Sequence, residues 1–176
     1  MNKEDLVSVI MPTYNAGKYL ADSMNSILNQ TYKNLELLIT DDASTDPTTL
    51  QLLKEYASKD ERVNILYLKE NHGAGYARNK SIERANGRYI AFCDSDDRWT
   101  TDKLEKQIAF MNKKKCALSC ASYIIFDGET QNEIGFCTAP KKITYGMMKR
   151  DNKVGCLTAI YDVQMLGRKF FMPTIR

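Results

Sequence analysis

The sequence is poor in the residues and patterns that mark several large protein classes. Histidine occurs once in 176 residues, which excludes a zinc site built on paired histidines. Cysteine occurs five times. An odd number in apolar surroundings (Cys93, Cys116, Cys120, Cys137, Cys156) speaks for reduced thiols and against a disulfide framework. Cys116 and Cys120 stand four apart with no second Cys/His pair beside them, and read as core. No run approaches the ~20 apolar residues of a membrane span. The start, MNKEDLVSVI, has acids where a signal peptide has a basic start and a long apolar stretch. Basic residues number 25 against 22 acids, an excess too small to imply a nucleic-acid partner. No repeat or low-complexity tract suggests a fibre, an array or disorder. What remains is a soluble chain, expected to be cytoplasmic, whose 43% apolar and 27% charged content suits one domain with a sizeable core.

What is present alternates strands with helices. LVSVIM (6–11), bounded by Pro12, reads as a buried strand. From Gly17 to Gln30, the residues Leu20, Met24, Ile27 and Leu28 share one helical stripe. LELLIT (35–40) is a second strand, and Asp46 before Pro47 places a capping acceptor ahead of a proline at the first helical position. That helix should turn Leu50, Leu53 and Ala57 inward. VNILYL (63–68) is a third strand, 74–85 a helix stopped by Gly87, and RYIAFC (88–93) a fourth strand. This order predicts right-handed crossovers and a mostly parallel sheet. Beyond Thr100 come a helix over 102–113 ending in the solvated KKK run, and an antiparallel hairpin from ALSCASYIIF to NEIGFC. GCLTAIYD (155–162) adds a strand, with Asp162 capping a short helix that Gly167 stops. Met147 and Met148 read as core or interface. The tail KFFMPTIR exposes two phenylalanines at a chain end, and ends that apolar are expected to pack onto something further along.

In an open parallel sheet, ligands sit beyond the carboxyl ends of the strands. There the four loops are PTYNAG, DDASTD, ENHGAGYARN and DSDDRW. The last packs Asp94, Asp96 and Asp97 into four positions, and such acids repel unless a positive charge sits among them. Carboxylates without a His or Cys cluster select Mg²⁺ or Mn²⁺, held by one or two carboxylates plus substrate phosphates. Gly73 and Gly75 allow close backbone approach, the helix after them points amides at an anion, and Arg78 adds a counter-charge. Tyr14 can stack on a base and Asp42 can accept from a base imide. Together these describe a nucleoside diphosphate with its metal. Taken singly, each motif has a plainer reading. The acidic loop can be solvated, or Asp96 or Asp97 can cap the next helix. DDASTDP can be turn and cap, GAG is short of a phosphate-binding fingerprint, His72 can hold a turn, and Trp99 can pack under the loop.

The stretches VSVIMPTYNAGKYLADSMNSILNQTYKNLELLITDDASTD and NHGAGYARNKSIERANGRYIAFCDSDD resemble the nucleotide-sugar-binding half of family 2 inverting glycosyltransferases of bacterial polysaccharide synthesis. The resemblance runs from about Val7 to Leu104 and is looser from Cys116 onward. It implies the α/β GT-A fold, a Rossmann-like, mostly parallel sheet with flanking helices and an antiparallel hairpin on the acceptor side. It also implies a single domain, 1–176, with a nucleotide-sugar-binding half (1–104) and a partial acceptor half (105–176) truncated at its C-terminus. By resemblance Pro12, Tyr14 and Asn15 line base and ribose, Asp42 meets a uracil-type edge, and Arg78 and Asn79 lie near the donor. Asp94, Ser95 and Asp96 form the DxD element, with Asp96 the first metal ligand and Asp97 a competing one. The implied reaction moves a sugar from a nucleotide donor, UDP-linked by family habit, to a hydroxyl of a saccharide or lipid-linked acceptor, with inversion and with Mn²⁺ or Mg²⁺. A lipid-linked acceptor would bring the protein to the inner face of the cell membrane. The general base is expected beyond Arg176, since Asp127, Asp151 and Asp162 match the family's acidic motif poorly. Two alternatives stay open: a donor-binding module that needs a further segment or partner for activity, and, more distantly, a phospho-acceptor signalling domain.

Overall fold

The computed structural model describes residues 6–152 and 154–172. Its centre is a six-stranded sheet of order β3-β2-β1-β4-β8-β5. The first four strands, β1 (Val7–Thr13), β2 (Leu35–Asp41), β3 (Val63–Tyr67) and β4 (Tyr89–Phe92), are mutually parallel. They alternate with α1 (Tyr19–Leu28), α2 (Pro47–Lys59) and α3 (Ala74–Arg84). All seven residues of β1 are buried, as expected of a central strand covered on both faces.

The period of two in the strands divides the core. Val7, Val9, Met11, Leu37, Ile39 and Ala91 pack with α1, α2 and α4 (Lys103–Lys114), whereas Ile10, Leu38, Ile90 and Phe92 pack with Ile82 and Ala85 of the α3 side. The α1 stripe behaves as read: Leu20, Met24, Ile27 and Leu28 are all buried. In α2 the inward turn is Thr49 and Leu53, backed by Leu52 and Tyr56, and Ala57 faces solvent. The Asp46 cap is formed, its carboxylate accepting from Thr49 N at 2.7 Å.

The second half departs from the simple hairpin. ALSCASYIIF breaks in two: β5 (Leu118–Ser119) joins the main sheet beside β8 (Ile160–Asp162), while β6 (Tyr123–Phe126) pairs with β7 (Glu133–Cys137) in a separate two-stranded sheet. GCLTAIYD likewise divides into a 3-10 turn (Cys156–Thr158) and β8, which runs antiparallel to β4. Met147 and Met148 lie on α5 (Tyr145–Arg150), a short helix with no buried residue, so they are not core. Asp162 caps α6 (Val163–Leu166), accepting from Gln164 N and Met165 N, and Gly167 follows with φ +69°.

Gly87 has a different use from the helix stop expected of it. The chain passes so close to β1 that a Cβ there would stand 2.6 Å from Leu6 O and 2.7 Å from Ser8 N. Backbone cannot yield as a flexible side chain can. Gly87→Ala is therefore expected to lower unfolding free energy by about 2–3 kcal/mol, read as a shift in urea midpoint at unchanged slope.

Candidate active site

Because β1 to β4 are parallel, their carboxyl ends fall on one edge, and the loops that follow meet there. Polar side chains tie these loops to one another. Asn15 sits in the left-handed region at φ +47°, which asparagine tolerates better than most residues. Its Oδ1 accepts from Thr45 N (2.8 Å) and Asp46 N (2.9 Å), and its own N donates to Ser44 Oγ. Loop one is thus locked to loop two. Asp42, 2% exposed, accepts from His72 N (2.9 Å) and Gly73 N (2.7 Å), locking loop two to loop three. Two residues expected to meet the base therefore carry loop geometry. Pro12 is buried in β1 opposite Thr40, leaving Tyr14, 52% exposed, as the aromatic surface beside them. Gly73, at φ +88°, opens α3 in a conformation that side chains resist. His72 lies 4.5 Å from the Tyr76 ring, in keeping with a turn-holding role.

The acidic loop rests on a polar edge of α1. Ser23 Oγ donates to Ser95 O (2.9 Å), Ser26 Oγ accepts from Trp99 N (3.2 Å), and Gln30 both donates to Thr100 O (2.7 Å) and accepts from Leu104 N (3.0 Å). Trp99, 7% exposed, lies under the loop with Nε1 donating to Leu157 O. Sequence reading missed this role of α1. Its trace was the spacing of Ser23 and Ser26, which puts them on one flank of the helix beside the apolar stripe, with Gln30 two residues past its end.

Within the loop, the charges are unevenly matched. Arg78 forms a fork-on-fork pair with Asp94, its Nη2 at 2.7 and 2.6 Å from the two carboxylate oxygens. One of three acids is thereby compensated by the protein. Asp97 is not: burial, then Asp94 and Asp96, push its carboxyl up to about 6. Asp96 is exposed, and among the described residues its carboxylate has neither a hydrogen bond nor an ion pair. Neither acid caps α4, whose N-cap is Asp102 without a side-chain bond. Two unmatched carboxylates in one loop suit a hard divalent cation that draws its other ligands from phosphate and water. They are not a protein-only cage; among the described residues no three His, Cys, Asp or Glu side chains converge on one point.

Two further polar atoms went unread in the sequence. Thr13 Oγ1 and Asp41 Oδ1, from residues paired across β1 and β2, are buried with no hydrogen-bond partner among the described residues. They sit where loops one and two begin. The three candidate bases fare differently. Asp162 is 2% exposed, paired with Arg88 at 2.8 Å and committed to its cap. Asp127 holds the hairpin turn, accepting from Glu129 N and Thr130 N. Asp151 closes α5. A cleft of about 1110 Å³ extends from Asp96 and Asp97 past Trp99 and Lys103 to Tyr123 and Phe136 of the hairpin.

This crevice and this sheet define a GT-A glycosyltransferase. Residues 8–170 match the family described as "Glycosyl transferase family 2", and the chain belongs to that family. It is 45% identical over 175 residues to the "Putative teichuronic acid biosynthesis glycosyltransferase TuaG" of Bacillus subtilis, covering 99% of this chain and 69% of that protein. It is 41% identical over 162 residues to the "UDP-Glc:alpha-D-GlcNAc-diphosphoundecaprenol beta-1,3-glucosyltransferase WfgD" of Escherichia coli, covering 92% of this chain and 62% of that one. The chain thus spans roughly two thirds of these relatives. The crystal structure of S. aureus TarS 1-349 superposes with a TM-score of 0.74 at 26% identity, over 97% of this chain and 51% of that chain. Its complex with UDP gives 0.68 at 26%, over 91% and 47%.

Lys103 is a further perturbed charge of the cleft. Burial pushes its ammonium down to about 7, with Gln107 Oε1 at 3.1 Å and the Trp99 ring at 4.1 Å as partial compensation. The unfolded lysine keeps its proton to about pH 10.4. The charged form therefore costs native stability in full below pH 7, and the cost fades as pH rises toward 10. Lys103→Met should stabilise the protein by about 1–2 kcal/mol at pH 6. The difference in urea midpoint should shrink by pH 9.5.

Proposed function

We propose that the protein binds a nucleoside diphosphate sugar, most simply a UDP-sugar, with Mn²⁺ or Mg²⁺. It transfers the sugar, with inversion, to a hydroxyl of a saccharide or lipid-linked acceptor. In this reading residues 1–104 form the donor half of one domain and 105–176 part of the acceptor half. The observation that carries it is the charge balance of the fourth loop: Arg78 answers Asp94, while Asp96 and Asp97 remain unmatched. The names of relatives support the donor class, since WfgD is described by UDP-Glc and TarS was crystallised with UDP. WfgD's name specifies a beta-1,3 linkage made from UDP-Glc, and a beta linkage is what inversion of an alpha-linked donor gives.

The residues divide the work. Tyr14 offers a stacking face for the base, and the buried atoms of Thr13 and Asp41 are polar partners at the same end. Asp42 fixes the turn ahead of α3 by accepting from His72 N and Gly73 N, and the first-turn amides of α3 would face the diphosphate, where the helix dipole favours negative charge. Asp96 and Asp97 would hold the cation, which supplies positive charge against the leaving diphosphate. Arg78, on the first turns of α3, keeps Asp94 neutralised and so leaves the other two acids as ligands. The cleft toward the hairpin, with Tyr123 and Phe136, is the side from which an acceptor would approach.

Calorimetric titration with UDP tests this. Wild-type protein should bind at least tenfold more tightly with Mn²⁺ than without it, and Asp96→Asn should erase that gain while leaving metal-free affinity unchanged. Equal affinity with and without metal in both proteins would refute the assignment. Incubation with a UDP-sugar and Mn²⁺ separates the enzyme from a binding-only module, for which donor turnover would stay at background.

A further inference from the structure

The stretch from Arg168 to Met172 returns along α3, from its carboxyl end to its amino end. Arg168 donates to Glu83 O (2.9 Å) and Ala85 O (2.6 Å), at the last turn. Lys169 N donates to Tyr161 Oη at 3.2 Å. Asn79, at the middle of α3, grips the backbone of Phe171 at two points: Phe171 N donates to Asn79 Oδ1 (2.7 Å), and Asn79 Nδ2 donates to Phe171 O (2.9 Å). Met172 O reaches to 3.8 Å from the point a Cβ on Gly75 would occupy.

That grip fixes one ring. Phe171 stands edge-on to Phe92 with centroids 5.5 Å apart, and the Arg78 guanidinium lies 5.1 Å from its centre. The guanidinium therefore has the Phe171 ring as one neighbour and the Asp94 carboxylate as another. The side chain of Arg78 is only 14% exposed. Without the ring, a long flexible arginine beside three acids has a choice of partners, Asp96 and Asp97 among them. With it, the guanidinium is confined to Asp94.

We propose that residues 168–172 are a positioning strap, in which Asn79 holds Phe171 and Phe171 holds Arg78 against Asp94, so that Asp96 and Asp97 stay available to a cation. Asn79 and Phe171 are positioning residues acting through Arg78. The geometric part stands alone; the consequence for cation and diphosphate rests on the donor-site reading above. Asn79 would serve the donor side through Phe171, and of the two phenylalanines of the tail Phe171 packs on Phe92 of the chain's own sheet while Phe170 stays exposed.

Nuclear magnetic resonance of the arginine Nε–Hε groups tests the strap without any ligand. The Arg78 signal, assigned by its loss in Arg78→Lys, should be sharp in the wild type and in Phe171→Tyr, which keeps the ring. It should broaden or vanish in Phe171→Ala and in Asn79→Ala, two routes to the same release. Phe170→Ala, an exposed neighbour, should leave it unchanged. Circular dichroism confirms that each variant is folded. A sharp Arg78 signal in both folded release variants would overturn the strap. The functional consequence is read as UDP affinity with Mn²⁺: Phe171→Ala should weaken it about tenfold in the wild-type background and have no further effect on Arg78→Lys. Unchanged UDP affinity in a variant that has lost the signal would also overturn the proposal. If the wild type itself binds no UDP with Mn²⁺, the donor reading falls, and the Arg78 signal still decides the clamp.

Discussion

Electrostatic compensation in the fourth loop governs the arrangement of the rest. Three carboxylates within four residues would push one another apart in a loop left to itself. Here one is taken by a bidentate arginine, one is held partly buried with its proton affinity raised, and one is turned to solvent. That asymmetry requires a rigid frame, because the cost of holding like charges together is borne by everything that prevents the loop from opening. Ser23 and Ser26 of α1, with Gln30 just past its end, supply the frame from below, and Arg78, backed by Phe171, supplies it from the side.

The same logic extends to the other loops. A site built on loops is only as well ordered as the bonds between them, and here side chains do that work through backbone amides. Asn15 joins the first loop to the second and Asp42 joins the second to the third. Both bonds run between groups of the chain itself. Donors and acceptors fixed in this way lose little on binding, and in a transfer reaction they act on developing charge without first reorganising. The family match and the likeness to TarS fit a crevice at the carboxyl edge of a parallel sheet.

Much of this was legible in the sequence, and the exceptions share a cause. The four parallel strands, the α1 stripe, the Asp46 cap and the Asp162 cap follow from local periodicity and capping chemistry, and they stand as read. Local rules failed where a distant partner decides. ALSCASYIIF was read as one strand, but β8 pairs with its first part, which makes two elements of it. Gly87 was read as a helix stop; the backbone of β1, almost 80 residues earlier, is what excludes a side chain there. For Asn15, placed at the base and ribose by resemblance, and for Asp42, placed at a base edge, it takes the folded loops to see the amides they also serve.

The sequence by itself determined the fold class, the polar edge on which the loops meet and the clustering of acids there. All of these are encoded in periods of two and 3.6 and in the residue types that follow each strand. Only the tertiary structure decided which acid is neutralised, what holds the acidic loop, and that the tail returns to α3 to press a phenylalanine on Arg78. Those are pairings between residues up to 92 positions apart, and a pairing at that distance is fixed by packing geometry that no local pattern carries.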